Sequence, residues 1–580
     1  MQQPDEARVK AQPIDNPNVS QTRSFSTVFL IEMWERFGYY GMQALIVYYM
    51  VQRLGFTDTR ANLTWGAGAA LIYVSPAIGG WVGDKILGTR HTMLFGAIVL
   101  AFGYALMVVP GQGAPFLFFA LGVIVVGNGL FKANAGNLVR KIYEGDDAKI
   151  DSAFTLYYMA VNIGSMISIL LTPWIKDYVN AAYGNGFGWH AAFGVCSVGL
   201  LVGLANWAVM RHTLSHIGSE PDRQPLNFTK LGLVFVGGIA VAGISAVILN
   251  YELVARIFVY AAAASVLGIF AWLISKSESH ERAGLIVTLV LTLETVLFFI
   301  FYQQMSTSLS LFALRNVEWD QYLFGVQLFS WKPAQFQALN PIWIFILSPI
   351  LAVLYNSAAR RNKDLSIASK FAIGFVVVAV GFFIYGLAGQ FAENGRVSSW
   401  VMIAGYGFQS LGELLVSGLG LAFVARYVPA RMGGFMMGAY FVATGVSQYL
   451  GGLVATMASV PNLIRDYSDK LGATGLQALA DLPPTLLGTV RDMDLDAYRQ
   501  WLQGTQLPEG VTTQFSQLPA ATQQSLEPLN HALYNTTLPI YTDLFNTLGY
   551  TALGCIVIAV AVLPFLRKLS ASHQEAGAGS

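Results

Sequence analysis

Charge is what this sequence has least of. Of its 580 residues only 12% are Asp, Glu, Lys or Arg, about half the roughly 25% that a soluble domain carries. A chain this poor in charge cannot cover itself with a solvated surface, which excludes an ordinary water-soluble globule. The formal net charge of +1 supplies no basic face, so no nucleic-acid partner is expected. Cysteine is almost absent. Cys196 and Cys555 each lie inside an apolar run, which excludes a disulfide framework and a thiolate metal site. Among seven histidines, only His212 and His216 stand at i, i+4, without a third ligand nearby, so no metal is expected. No G-x-x-x-x-G-K-[ST] loop occurs, so ATP is not the expected driving force. No nucleophile–base pair gathers at one depth either, so neither an enzyme nor a bound cofactor is expected.

What fills the chain instead is apolar sequence: 54% hydrophobic and 13% aromatic residues. Hydropathy gives about fourteen candidate membrane spans of ~20 residues. The polar start "MQQPDEARVKAQPIDNPNVSQTRSFS" contains acids and precedes a long span, so it reads as a cytoplasmic tail (1–25) rather than a cleaved signal. With that tail inside, the inner loops collect Lys85 and Arg90, then Arg140, Lys141 and Lys149, and later Arg360, Arg361 and Lys363. Arg567 and Lys568 close the series after the last span. The alternation predicts both termini inside. Two runs of Gly, Ala and Val near 240 and 264 read as an extra helical hairpin. The expected organisation is a six-helix bundle over 26–212, a linker with that hairpin over 213–283, and a second six-helix bundle over 284–580. The polar stretch 457–542 reads as a small extracytoplasmic insertion in the second bundle, with a disordered loop as the alternative.

Between the second and third spans lies "GGWVGDKILGTRHTM". Its glycines allow close helix approach, and its charges sit where a network can latch helices at the membrane surface. Asp84, Gly88 and Arg90 match the loop signature of the major facilitator superfamily, which this segment resembles.

Charges within the spans are more telling, because each costs about 2.5–3.5 kcal/mol at mid-membrane even on the gentle insertion scales. Span one carries Glu32, Glu35 and Arg36 on one helix face. Span four carries Lys132, span seven Glu294 and span ten Glu413. Such groups must pair or face water, and the reading adopted is a wet polar cavity shared by several helices. A dipeptide zwitterion separates its charges by under ~7 Å and a tripeptide by ~10 Å. Bases on one wall and an acid on the other would therefore read peptide length, while asparagine amides would grip the peptide bond without regard to side chains.

"EMWERFGYYGM" resembles the E-x-x-E-R-F-x-Y-Y signature of the proton-dependent oligopeptide transporter family. "GNGLFKAN", "AFTLYYMAVNIGSMIS", "FYQQMSTSLSLFALRNVE", "QALNPIWIFILSP" and "GFQSLGELLVSGLGLAFVA" resemble, in order, that family's spans four, five, seven, eight and ten. The resemblance runs from about 25 to 457 and resumes in the last span; it is strongest to the bacterial permeases. It implies an all-α major facilitator fold of two six-helix bundles plus a helical hairpin, and a proton-coupled symporter importing di- and tripeptides at the bacterial inner membrane. Its partners would be the peptide, protons and the lipid bilayer, with the chain acting as a monomer.

By the same resemblance, Arg36 and Lys132 would bind the peptide carboxylate and Glu413 the amino terminus. Asn162 and Asn340 would hold the backbone. Tyr39, Tyr40, Tyr73 and Tyr158 would line the pocket, with Ser417 one turn beyond Glu413. Glu32 and Glu35 would couple the proton, with Arg36 as their partner. The chain departs from the pattern at Gln303, where many members have a glutamate in span seven, and at Phe299 and Tyr440, where relatives have tryptophan. Glu294 lies nine residues before Gln303, on the opposite side of a helix at ~100° per residue. It cannot replace the missing acid directly, and a structural ion pair is one reading of it. Two other functions stay open: carriage of a non-peptide or peptidomimetic anion, and a receptor that recognises its ligand through 457–542.

Overall fold

The computed structural model describes residues 19–459 and 527–578, apart from 111–112, 185, 362–365, 418–419 and 430–431. Most of the expected insertion at 457–542, and most of the tail at 1–25, therefore lie outside the described residues.

Six helices form the first bundle: α1 (Gln21–Tyr48), α2 (Asp58–Val82), α3 (Thr89–Leu106), α4 (Ala114–Ile142), α5 (Asp147–Tyr183) and α6 (Phe187–Met210). A hairpin of α7 (Phe228–Asn250) and α8 (Glu252–Lys276) follows. The second bundle contains α9 (Ser279–Tyr302), α10 (Ser308–Arg315), α11 (Leu339–Arg360), α12 (Ile367–Leu387), α13 (Ser399–Val416), α14 (Gly420–Tyr427), α15 (Gly433–Ala455) and α16 (Glu527–Ala578). Strands β1 (Asp320–Leu323) and β2 (Val326–Ser330) pair antiparallel between α10 and α11.

Twelve described helical stretches are long and apolar enough to cross a membrane. Helices α1 and α13 complete the fourteen, in keeping with the hydropathy count. Each carries the buried charge that dilutes its apolar run: Glu32, Glu35 and Arg36 in α1, and Glu413 in α13. Helix α1 packs on α5 and α6, α3 on α4 and α6, and α2 on α4. In the second bundle α12 packs on α13 and α16, and α9 on α15 and α16. The hairpin lies alongside both, α7 against α4 and α8 against α15.

Small residues set these approaches. A Cβ on Gly79 of α2 would collide with the backbone of Gly129 in α4, so the two helices touch through bare glycine faces. Asn134 of α4 reinforces the crossing by donating to the Gly79 carbonyl at 2.9 Å. At Gly88 the chain turns with φ +94°, a conformation that favours glycine, and α3 starts immediately after.

The loop signature forms a knot with the linker after α6. Arg90 donates to the carbonyls of Leu214 and Ser215 at 2.8 Å each and to that of Asp222 at 3.1 Å. The Asp222 carboxylate accepts from the backbone N–H of Arg90 at 3.1 Å and of His91 at 3.2 Å. It thereby satisfies the free donors at the N-terminus of α3. Burial pushes this carboxyl upward, but hydrogen bonds from the His91 ring and from the Arg90, Ser219 and His91 backbones outweigh it and hold it below its ordinary range. Asp84 is exposed, and the bonds of the knot run from Arg90 and His91 to Asp222 and the linker carbonyls.

Candidate functional site

Hydrogen bonds join the two bundles at the end where α1 finishes and α2 begins, called the far end below. Tyr48 of α1 donates to the Ser310 carbonyl at 2.7 Å, Trp65 of α2 to the Ser306 hydroxyl at 3.0 Å, and Gln335 to the Leu170 carbonyl of α5 at 2.7 Å. Asp58 and Arg315 form a bidentate pair across the same end, at 2.5 and 2.8 Å, and Arg315 also donates to the Tyr541 hydroxyl of α16 at 2.6 Å. The side chains of Arg315 and Asp58 are only 2% and 3% exposed. One interbundle pair thus ties α2 to α10 and α16.

Below this seal, at the centre of the molecule, the bundles part around a cavity of about 710 Å³ including its mouth. Of the expected residues, Tyr39, Tyr40, Tyr73, Tyr158, Asn162, Gln303, Asn340 and Glu413 line it. Both bundles contribute. Glu413 accepts from the Asn340 amide at 2.6 Å and from the Tyr158 hydroxyl at 3.3 Å. The second of these bonds crosses from α5 in one bundle to α13 in the other. Asn162 donates to the carbonyl of Tyr158 at 2.8 Å, one turn earlier on α5, which leaves its amide oxygen for other partners.

The cations stand one layer behind the wall. The Arg36 guanidinium lies 5.1 Å from the centre of the Tyr39 ring, and the Lys132 ammonium 5.1 Å from that of Tyr73. Tyrosine faces stabilise both through their quadrupoles, so a positive field reaches the cavity through two aromatic shields. Arg36 pairs with Glu35 through Nε and with Glu32 at 3.4 Å. These three side chains are buried among α1 and its neighbours, off the cavity wall.

Phe299, Ser417 and Tyr440 also stand off the wall. Phe299 packs behind Tyr73, with ring centres 6.3 Å apart, and Tyr440 behind Phe423 at 5.7 Å. Glu294 is buried on α9 with one oxygen unpartnered. It forms no ion pair among the described residues, so the structural-pair reading is not realised there. Its helical face turns from the cavity toward Cys555 of α16, which offers no cation.

Several lining residues escaped the sequence reading, among them Gln43, Trp65, Tyr302, Ser306, Gln337 and Gln448. Tyr302 and Ser306 flank Gln303 and had a detectable signal in their spacing. Gln448 and Trp65 lie in runs otherwise read as packing. The far-end pair was also missed, because Asp58 and Arg315 sit at span ends where charge is ordinary. No group of His, Cys, Asp and Glu able to hold a metal occurs among the described residues.

Comparison with known proteins agrees with this architecture. The model of the POT family (PTR2) matches residues 90–471. Dipeptide and tripeptide permease B of Aliivibrio fischeri (strain MJ11) is 38% identical over 558 residues, covering 96% of this chain and 97% of the relative. Dipeptide and tripeptide permease A of Escherichia coli (strain K12) is 42% identical over 447 residues, 77% of this chain and 86% of the relative. These relatives are permeases rather than enzymes. Among solved structures, tetrameric PepTSo2 superposes with a TM-score of 0.77 at 59% identity over 95% of this chain and all of that one. A bacterial homologue of the human drug peptide transporters PepT1 and PepT2 does so with 0.76 at 57% identity, over 95% and 100%. The chain is an integral membrane protein, and it belongs to the POT family.

Proposed function

We propose that the protein imports di- and tripeptides by proton-coupled symport with alternating access. The observation that carries this reading is the polar division of the cavity: the acid Glu413 on one wall, Arg36 and Lys132 behind the tyrosines of another. Glu413 takes the peptide amine, exchanging its Tyr158 contact for a stronger charge-assisted bond. Asn162 and Asn340 hold the backbone. The carboxylate settles toward Tyr39 and Tyr73, in the field of Arg36 and Lys132. A longer peptide must fold or leave one terminus unpaired, which is costly when buried.

The proton enters at Glu35. While paired with Arg36 the carboxylate stays ionised; parting the pair leaves a desolvated acid that binds a proton. Glu32 supports the same arginine. A proton supplies about 2.3 kcal/mol per 100 mV of membrane potential and ~1.4 kcal/mol per pH unit, enough to concentrate a neutral zwitterion.

The termini face the cytoplasm in this reading, at the inner membrane of a bacterium. The far end is then extracytoplasmic, and the sealed Asp58–Arg315 end belongs to an inward-open state. Residues 26–212 and 284–580 act as the rocking halves, with the 213–283 linker and hairpin beside them and 457–542 on the outer side. The cavity is complete within one chain, so one copy transports by itself even within an assembly like that of tetrameric PepTSo2.

The test is uptake into proteoliposomes under an imposed pH gradient, comparing alanine di-, tri- and tetrapeptides with and without a protonophore. Accumulation of the two shorter peptides, lost with the protonophore, is expected. Uptake indifferent to the protonophore contradicts proton coupling, and equal uptake of the tetrapeptide contradicts the length filter.

A further inference from the structure

Glutamines gather at the sealed end of the cavity. Two of them spend their amide hydrogens on the protein itself. Gln304 Nε2 donates to the carbonyls of Ile300 at 3.0 Å and Gly451 at 2.9 Å, and Gln337 Nε2 donates to the Ser310 hydroxyl at 3.0 Å. Gln303 and Gln448 differ. Both line the cavity, they are only 4% and 2% exposed, and the Nε2 of each is buried without a hydrogen-bond partner.

Packing sets these two side chains next to each other. A Cβ on Gly451 of α15 would lie 2.5 Å from Gln303 Cβ, so the stem of Gln303 rests on that bare glycine. Gln448 lies three residues before Gly451, and residues at this spacing are neighbours on one helix face, about 5–6 Å apart. On the facing helix α2, a Cβ on Gly66 would lie 3.1 Å from the Gln448 carbonyl. Seven residues, roughly 10 Å of helix, separate Gly66 from Tyr73, where the peptide carboxylate settles in the function proposed above. The side chain of the peptide's last residue and that of Gln448 together cover this span.

A buried amide N–H2 without an acceptor is costly, and methionine would fill either place without that cost. A carbonyl oxygen carries two lone pairs and accepts from two donors at once, so a single substrate carbonyl satisfies both amides. A carboxylate matches less well. No Lys or Arg is among the described residues that line the cavity, and Arg36 and Lys132 stand behind Tyr39 and Tyr73, so a second buried anion would lack a countercharge. An aliphatic side chain leaves both donors unmet.

We propose that Gln303 and Gln448 form a subsite for a neutral carboxamide side chain on the carboxy-terminal residue of the peptide. This rests on the peptide reading above and adds to it a preference among side chains.

The experiment is isothermal calorimetry of the purified full-length protein in lipid with Ala-Gln, Ala-norleucine, Ala-Glu and Ala-Ala. Norleucine resembles glutamine in length and has no acceptor. The parent is expected to bind Ala-Gln about tenfold more tightly than Ala-norleucine, the scale of two net hydrogen bonds, and more tightly than Ala-Glu. Methionine keeps the length of glutamine without its donors. Gln303→Met and Gln448→Met should each reduce the preference to about threefold, and the double variant should abolish it. Equal binding of Ala-Gln and Ala-norleucine by the parent, the outcome if the amides serve only trapped water, overturns the proposal however the variants fold. Binding of Ala-Glu as tight as that of Ala-Gln overturns it too, as does a preference that survives in a double variant still able to bind Ala-Ala. A parent that binds none of the four peptides overturns the peptide reading instead, so the two failures are distinct.

Discussion

Removing Asp58 should open the sealed end of the protein. The Asp58–Arg315 pair is nearly inaccessible, with side chains 3% and 2% exposed, and it bridges the two bundles, so it exists only while that end is closed. Asp58→Ala removes the carboxylate that pairs with the buried Arg315 guanidinium. Deleting one member of a buried pair typically costs about 3–5 kcal/mol. Entry of water and the surviving Tyr541 bond reduce the penalty, leaving about 2 kcal/mol. That cost falls on the closed state alone, because in the open state Arg315 is hydrated. At 1.4 kcal/mol per factor of ten, about 2 kcal/mol shifts the closed-to-open ratio by roughly 30-fold. The assay is a spin-label distance measurement between the exposed positions Arg53 and Gln327, one on each bundle, with Cys196 and Cys555 replaced beforehand. A longer-distance population should grow in Asp58→Ala and recede in the swapped pair Asp58→Arg/Arg315→Asp. A distribution in Asp58→Ala indistinguishable from that of the parent would refute the reasoning.

Two further outcomes follow. Glu413→Gln should weaken binding of peptides with a free amino terminus by about 30-fold or more, the scale of a truncated buried charge pair at 2–5 kcal/mol; N-acetylated peptides should lose far less, as isothermal calorimetry would show. Asp222→Ala should lower stability by about 1 kcal/mol through loss of the α3 cap, read as a fall in the thermal unfolding midpoint at neutral pH. Because the Asp222 carboxyl is held below its ordinary range, its contribution is present above that range and disappears as pH falls through its depressed value. The difference between parent and variant should therefore shrink in acid.

Most of the helical framework was legible in the sequence, because spanning a bilayer demands long apolar runs whatever the tertiary contacts. Even so, α1 and α13 fall short of a pure hydropathy criterion, since Glu32, Glu35, Arg36 and Glu413 interrupt them. Those same interruptions revealed the site. Glu413 was found because a charge inside a span requires a reason to be there, whereas the tyrosines, Asn162 and Asn340 came from the resemblance to the family. Tyrosine shielding of Arg36 and Lys132 was not legible, since it depends on which rotamer faces the cavity. Nor was the Asp58–Arg315 seal, because charges at helix ends satisfy the membrane surface equally well. Asp222 is a loop acid in sequence and a helix cap only in three dimensions. Glu294 shows the limit from the other side: helical phase placed it away from Gln303, but nothing in the sequence revealed that its neighbours in α16 would offer no cation.

In the function proposed above, Glu35, through its pairing with Arg36, links proton entry to peptide movement. Its most direct test is accumulation of trialanine by Glu35→Gln in proteoliposomes under an inward pH gradient, beside the parent protein. Accumulation by the variant is expected to fall to the level the parent reaches with a protonophore. Full gradient-driven accumulation by Glu35→Gln would contradict it.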